Sequence, residues 1–369
     1  MTVSQAQTEI VGNGSYGNVA ERLIANGMDV SVLRPYMAED GRSYITANNE
    51  AQLIGNAATL RKDEWAQFDN AVIRAARQRL RAWTDLSTMS GAYSGFNGMA
   101  SMVLEHESMS DPGEAHTSFD GMVEGRADAP TFQLEGLPLP ITHCDFYFSS
   151  RRLAISRKLG TPIDSAMAEA AGRRVAERIE KMTIGTLAGP GLSPTNVAEY
   201  GGSPKVYGYT NFPDALTKTD VTAPTAGGWD PATLLGDILD CLDSLYSNNF
   251  YGPFMVYHST DWTPYLDNDY YKLTTSGAVA PTMTLRQRIK QIDGVTDVRR
   301  LDFLTNTFTI LIVQMTPDVA RAVNGLNMTT VQWETMGGMR VNFKVMAIHV
   351  PQLRSDFSGN CGIMHATTA

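Results

Sequence analysis

The stretch TPIDSAMAEAAGRRVAERIEKMTIG, Thr161 to Gly185, constrains the fold more than any other part of this chain. Thr161 can cap, Pro162 suits the first helical position, Asp164 completes a capping-box-like start, and Gly185 stops the helix. About 22 helical residues would run about 33 Å. The stripe of Ile163, Met167, Ala171, Val175, Ile179 and Met182 is narrow and rich in small side chains. One face must therefore lie against a sheet while the charged remainder stays wet, which makes the helix a spine.

The other regular elements are predicted on the same physical grounds. Over roughly 63 to 84, Trp65, Phe68, Val72, Leu80 and Trp83 recur at helical spacing while Arg74, Arg77 and Arg81 point elsewhere. From Asp230 onward, helices and strands alternate. The expected series is a helix capped by Asp230 and Pro231, with Leu235, Ile238, Leu242 and Leu245 on its face, then a strand FMVYH and a helix TLRQRIKQI ending at Gly294. A buried strand TFTILIVQM follows from Thr307, then a short helix TPDVARAVNGL opened by Thr316 and Pro317, then the long alternating strand MRVNFKVMAIHV, after which the C-terminus trails off. Such alternation signals a mixed α+β domain, and no internal repeat points to a solenoid or propeller.

Between these elements lie long extended segments. Residues 1 to 60 are rich in Gly, Asn, Ser and Ala, with one short helical pattern around Val19 to Ile24, and hold too few large apolar groups for a core of their own. Residues 100 to 140 read as a long hairpin-like excursion punctuated by Pro112, Gly113, Gly121, Gly125 and Pro130. Between Gly185 and Gly228 there are 13 Gly or Pro residues in 44, so turns prevail, with Tyr200, Tyr207, Tyr209 and Phe212 as anchors. In a chain of 369 residues with 43% hydrophobic content disorder is not the default, and segments like these are ordered by a neighbouring copy.

Several chemistries are tempting and weak. Gly12, Gly14 and Gly17 spell G-x-G-x-x-G, but no apolar strand precedes them to aim the turn at a pyrophosphate, so no cofactor is expected. Glu105, His106, Glu107, Asp111 and His116 match no metal spacing and read as a solvated acidic loop, and DND at Asp267 lacks the glycine and distal glutamate of a calcium loop. No serine sits in G-x-S-x-G, and His143, after the apolar GLPLPIT strand, reads as a satisfied core histidine. Cys144, Cys241 and Cys361 form no C-x-x-C pair and read as small buried hydrophobes. No catalytic role is therefore assigned. Without an apolar run long enough for a membrane or a signal-peptide pattern, synthesis in the cytoplasm is expected, and a net charge of -9 argues against gripping nucleic acid by phosphate neutralisation.

The clearest functional signal is electrostatic. Residues 100 to 140 carry eight acids against Arg126 alone, whereas 151 to 181 are dominated by Arg and Lys. Pairing of such patches between copies would be heterologous, and heterologous contacts close into rings or, with curvature, shells. The candidate intersubunit residues are Glu105, Glu107, Asp120, Glu124 and Arg126 on the excursion, and Arg151, Arg152, Arg173, Arg174 and Arg178 on and before the spine.

Taken together, the tryptophan-bearing helix, the acidic excursion, GLPLPITHCDF, the spine helix and a mixed domain ending in MRVNFKVMAIHVPQL resemble a tailed-bacteriophage major capsid protein. The resemblance implies an α+β fold of the Hong Kong 97 type. Residues 1–62 would be an N-terminal arm, 63–99 the N-terminal helix and its connection, 100–140 the extension loop, and 141–229 the peripheral domain with the spine helix at 161–185. Residues 230–338 would be the axial domain, and 339–369 the return strand to the peripheral domain with a C-terminal tail. It also implies copies arranged as hexamers and pentamers, portal, scaffolding or decoration proteins as partners, double-stranded DNA enclosed without sequence-specific binding, no membrane, and a place in the virion after assembly in the host cytoplasm. Encapsulin shells, which enclose cargo enzymes, share this fold and are the alternative; the long arm before Lys62 favours the phage capsid. Some capsids of this type weld subunits through an extension-loop lysine, but no lysine occurs here between Lys62 and Lys158, so no such weld is expected.

Overall fold

The computed structural model describes residues 36–37, 43–47, 50–53, 62–77, 80–110, 131–152, 166–187, 206–225, 229–270, 272–274, 277–279, 283–304 and 307–368, and the single residues 117, 119, 129 and 155. The first elements are strands β1 (Tyr36–Met37), β2 (Ser43–Ala47) and β3 (Glu50–Leu53), then helices α1 (Lys62–Arg77) and α2 (Ala82–Met89). Strands β4 (Ala92–Tyr93), β5 (Val103–Met109), β6 (Phe132–Pro138) and β7 (Thr142–Ser149) precede helix α3 (Ala166–Ile184). Next come β8 (Leu216–Val221), α4 (Pro231–Ser247), β9 (Phe254–His258), α5 (Thr263–Leu266), β10 (Lys272–Thr274), β11 (Gly277–Val279) and α6 (Leu285–Lys290). The series ends with β12 (Val295–Arg300), β13 (Ile310–Gln314), β14 (Ala320–Thr335), β15 (Arg340–Leu353) and β16 (Ile363–Thr368).

The expected spine is α3. It lies along the sheet β4-β14-β15-β7, against β7 and β15, with α1 alongside. Strand alternation sends Phe146, Phe148, Val341, Phe343 and Val345 inward, and Phe146 stacks on Phe343 with ring centroids 5.2 Å apart. Ala171, Val175, Ile179 and Met182 of the stripe are buried as expected, whereas Met167 is exposed; the buried face instead begins at Ala168 and includes Gly172. That glycine is required by packing, since a Cβ there would come within 3.0 Å of the Val72 carbonyl oxygen on α1. Gly185 stops the helix at φ +94°, while the Thr161 and Pro162 start lies outside the described residues.

The long helix expected over 63 to 84 is two helices. Glu180 of α3 explains the restart: its carboxylate accepts the Ala82 amide at 2.7 Å and the Trp83 amide at 3.2 Å, so α2 is capped from a neighbouring helix. Leu80 and Trp83 are buried as the period implies, and the Trp65 and Phe68 side chains lie outside the described residues.

The second core is built on the sheet β12-β9-β13-β16-β8. Leu234, Ile238, Leu242 and Leu245 of α4, with Leu285 and Ile289 of α6, pack against Val256, Val298, Ile310, Ile312 and Met364. The other face of the sheet, with Met255, Tyr257, Leu311 and Val313, belongs to the first core, so this sheet is a wall shared by both. Asp230 caps α4 as expected, accepting the Thr233 amide at 2.9 Å, and Thr284 and Gln287 form a capping box on α6, which ends at Lys290 rather than continuing to the left-handed turn at Gly294.

Other expectations are corrected. TPDVARAVNGL is not a helix: Thr316 opens a single turn, its carbonyl accepting the Ala320 amide at 2.9 Å, and β14 then begins. Pairing with β15 buries Ala320, Ala322 and Val323, which outweighs the local helical signal. The C-terminus does not trail off, because β16 sits between β13 and β8. The chain thus leaves the five-stranded sheet after Gln314 and re-enters it at Ile363. GLPLPIT is the junction of β6 and β7 rather than one strand, and His143 is an exposed residue 3.3 Å from Asp145, not a core histidine. Cys241 and Cys361 are buried, while Cys144 is only half-buried.

Candidate intersubunit surfaces

β5 and β6 form an antiparallel hairpin in which Met109 faces Phe132, Glu107 faces Leu134, His106 faces Glu135 and Glu105 faces Gly136. Alternation puts Leu104, His106, Glu135 and Leu137 on one face and Glu105, Glu107, Met109, Phe132 and Leu134 on the other. The first face is anchored at its root. Leu137, with Leu139 just beyond β6, is buried against Val323, Ile348 and Val350, and Phe96, Met99 and Leu104 pack beside them. The approach to the hairpin crosses β14 where Gly98 donates its amide to the Gly325 carbonyl at 3.2 Å; a Cβ on Gly98 would lie 2.5 Å from the Gly325 Cα. The second face is open, with Met109, Phe132 and Leu134 55%, 63% and 61% exposed. A two-stranded hairpin with one apolar side uncovered is marginal on its own.

The charged candidates divide between elements. Glu105 and Glu107 are exposed on the open face, whereas the His106 ring turns to the body, 3.3 Å from Glu135. Burial, and then the charge of Arg354, hold the His106 pKa below the ordinary histidine value against the pull of Glu135. Glu105, His106 and Glu107 therefore do not converge on one point, and among the described residues no cluster of three or more His, Cys, Asp or Glu could hold a metal. On α3, Arg173 and Arg174 both reach Glu177, at 3.9 and 3.5 Å, exposed pairs of a kind that contribute about 0–1 kcal/mol. Arg178 is half-buried on the same helix, and Arg151 and Arg152 are exposed in the short helical segment after β7, the Arg152 amide donating to Ser149 Oγ at 3.3 Å. Asp120, Glu124 and Arg126 lie outside the described residues, as do Gly12, Gly14 and Gly17. Among the described residues no hairpin acid pairs with a spine arginine.

A buried polar network joins the two cores. Asp85 on α2 accepts the Tyr257 hydroxyl at 3.0 Å and pairs with Arg299, which ties α2 to β9 and β12. Burial raises the Asp85 pKa despite Arg299. Glu180 is 2% exposed, and burial pushes its carboxyl up to about 7 even though backbone amides favour its charged form. Tyr209 stacks on Tyr257 with centroids 6.3 Å apart. These acids are enclosed by helices and sheet, so the network positions elements and offers no surface for a substrate.

The apolar open face was missed in the sequence, although Phe132 and Leu134 alternating with Gln133 and Glu135 displayed it. Arg321 and Arg354 were missed as well, the first because its segment read as a helix.

Solved structures with this arrangement include a virus-like particle and a phage capsid. The virus-like particle from Pyrococcus furiosus is 17% identical over 82% of this chain and 98% of that one, with a TM-score of 0.51. The capsid of Myoviridae phage XM1 is 11% identical over 77% and 92%, at 0.54, and a chain of Mycobacterium phage Bobi is 11% identical over 78% and 90%, at 0.52. No curated protein matches the sequence. The fold is the Hong Kong 97-type capsid fold. Within it, the chain belongs to the Family of unknown function (DUF6260), whose model matches residues 55–366.

Proposed function

We propose that this chain is a major capsid protein whose copies close into an icosahedral shell around packaged double-stranded DNA of a tailed phage. The observation that carries the reading is the hairpin: anchored by Leu137 and Leu139, it presents Met109, Phe132 and Leu134 to solvent. Covering that face with a neighbouring copy buries apolar area at roughly 25 cal/mol per Å². In this reading β5–β6 is the extension loop, α3 with the four-stranded sheet the peripheral domain, the five-stranded sheet the axial domain, and residues 1–62 an arm strapped onto another copy. Hexamers and pentamers tile the shell in the virion, assembled in the host cytoplasm, and portal, scaffolding or decoration proteins complete it. The reading assigns no catalytic residue. A net charge of -9 suits enclosure of DNA without readout.

Expression of the chain alone, followed by electron microscopy and light scattering, tests this. Shells are expected from the wild type, and none from Phe132→Asp with Leu134→Asp, whose unassembled subunit keeps its circular dichroism. Shells of normal size from the double variant refute the hairpin's role. The second reading, a compartment around protein cargo, is favoured by the likeness to the Pyrococcus furiosus particle. Enclosed protein in place of nucleic acid in shells purified from the native source would select it.

A further inference from the structure

The root of the hairpin gathers positive charge against the sheet. Arg321 on β14 pairs in register with Gln352 on β15, so Arg354, two residues on, is its diagonal neighbour on the same face. The Arg354 amide donates to the Val319 carbonyl at 2.8 Å, which holds that register past the end of β15. The Arg321 guanidinium lies over the Tyr93 ring, 4.8 Å from its centroid, and donates from Nε to Gln352 Oε1. His106 faces the same group from the hairpin: the charges of both arginines disfavour its protonation. Burial, and then Arg354, hold Arg321 below its ordinary pKa.

The group is rich in hydrogen-bonding atoms and poor in acceptors. Among the described residues Arg354 Nε, Gln352 Nε2 and His106 Nδ1 are buried with no hydrogen-bond partner, and Gln352 is 1% exposed. Among the described residues no carboxylate pairs with either arginine, and Glu135 is taken by His106. Unpaired buried donors and adjacent like charges are both unfavourable, so the arrangement favours an anion that answers it.

We propose that Arg321 and Arg354, both half-buried, with Gln352 orienting Arg321 from behind, form an oxyanion pocket at the hairpin root that receives a carboxylate from the open hairpin face of a second copy, Glu105 or Glu107. Charge complementarity points to that occupant. Residues 100 to 140 carry eight acids against one arginine, and both glutamates stand exposed on the face that the shell reading lays on a neighbour. Arginine also suits a carboxylate because its fork donates two parallel bonds. A DNA phosphate is the less favoured source, since binding a polyanion needs a track of cations rather than one pocket. The inference rests on the shell reading and names one contact within it.

The test is a mutant cycle in the full-length chain, read as the protein concentration at half-assembly by light scattering with electron microscopy. Arg321→Gln with Arg354→Gln, and separately Glu105→Gln with Glu107→Gln, are each expected to raise that concentration about tenfold or more, and all four together to do no worse than the harsher pair. Arg354→Lys is expected to assemble better than Arg354→Gln. The unassembled arginine variants should melt no lower than the wild type, because they relieve repulsion; a lower melting point with no assembly defect would mark the cluster as structural and overturn the proposal. Normal assembly of the arginine variants, or strictly additive effects, also overturns it. Normal assembly with loss of nucleic acid from the shells would assign the pocket to phosphate instead. A wild type that forms no shells overturns the shell reading itself, and this pocket with it.

Discussion

Glu180 gives the sharpest quantitative test of the interior. Its carboxyl is raised from 4.5 to about 7 by burial, so the folded chain holds this proton more tightly than the unfolded one. Stability from this group is therefore greatest below the unfolded value of 4.5 and falls as pH rises to about 7, after which it is level. At 1.36 kcal/mol per unit the full span is about 3 kcal/mol, of which roughly 2 kcal/mol falls between about pH 5 and about pH 8. Glu180→Gln keeps the volume and one acceptor oxygen, so either Ala82 or Trp83 loses its partner, at about 1–3 kcal/mol. The variant lacks the titration. Near pH 5 it should be clearly less stable than the wild type, and near pH 8 the difference should shrink by roughly 2 kcal/mol, to neutral or slightly stabilising. Urea unfolding of the unassembled subunit, followed by circular dichroism at both pH values, measures this. An equal destabilisation at both, or a larger one near pH 8, would show that burial does not govern this carboxylate.

Three further outcomes follow from the packing. Gly172→Val should lower subunit stability by about 1–3 kcal/mol in the same assay, because its side chain meets Val72 where α1 and α3 touch. Asp85→Ala should cost about 2–3 kcal/mol by leaving the Tyr257 hydroxyl buried without a partner; half-exposure of Arg299 keeps the figure at that level. Asp230→Ala should cost about 1 kcal/mol through the lost cap on α4, read as a lowered melting temperature.

These sites also show where the sequence is legible. The α3 stripe, the Asp230 cap, the Thr284 box and the strands around Phe254, Ile310 and Arg340 were readable because each is written locally, in side-chain period or in a capping residue. The break between α1 and α2 was not, because the group that restarts the helix is Glu180, distant in sequence, while Leu80 and Trp83 carry the helical period straight across. Likewise Thr316 and Pro317 opened a true turn, and only pairing with β15 made the next residues a strand. For the candidate surfaces, the acidic hairpin was legible as composition. The Arg321 and Arg354 cluster was not, since a diagonal neighbour across two strands exists only once the register is set.

The position of β16 sets an order of events in folding. Residues 363–368 lie between β13 and β8, and without them Ile310, Ile312 and Leu216 have no completed sheet to join. Until residues 363–368 pair, β8 stays apart from β13 and the wall shared by both cores stays divided. Closing it joins residues about 150 positions apart, a slow step because a long loop must be closed before the contacts form. A subunit therefore completes its second wall late. The fold thereby ties completion of that wall to residues 363–368.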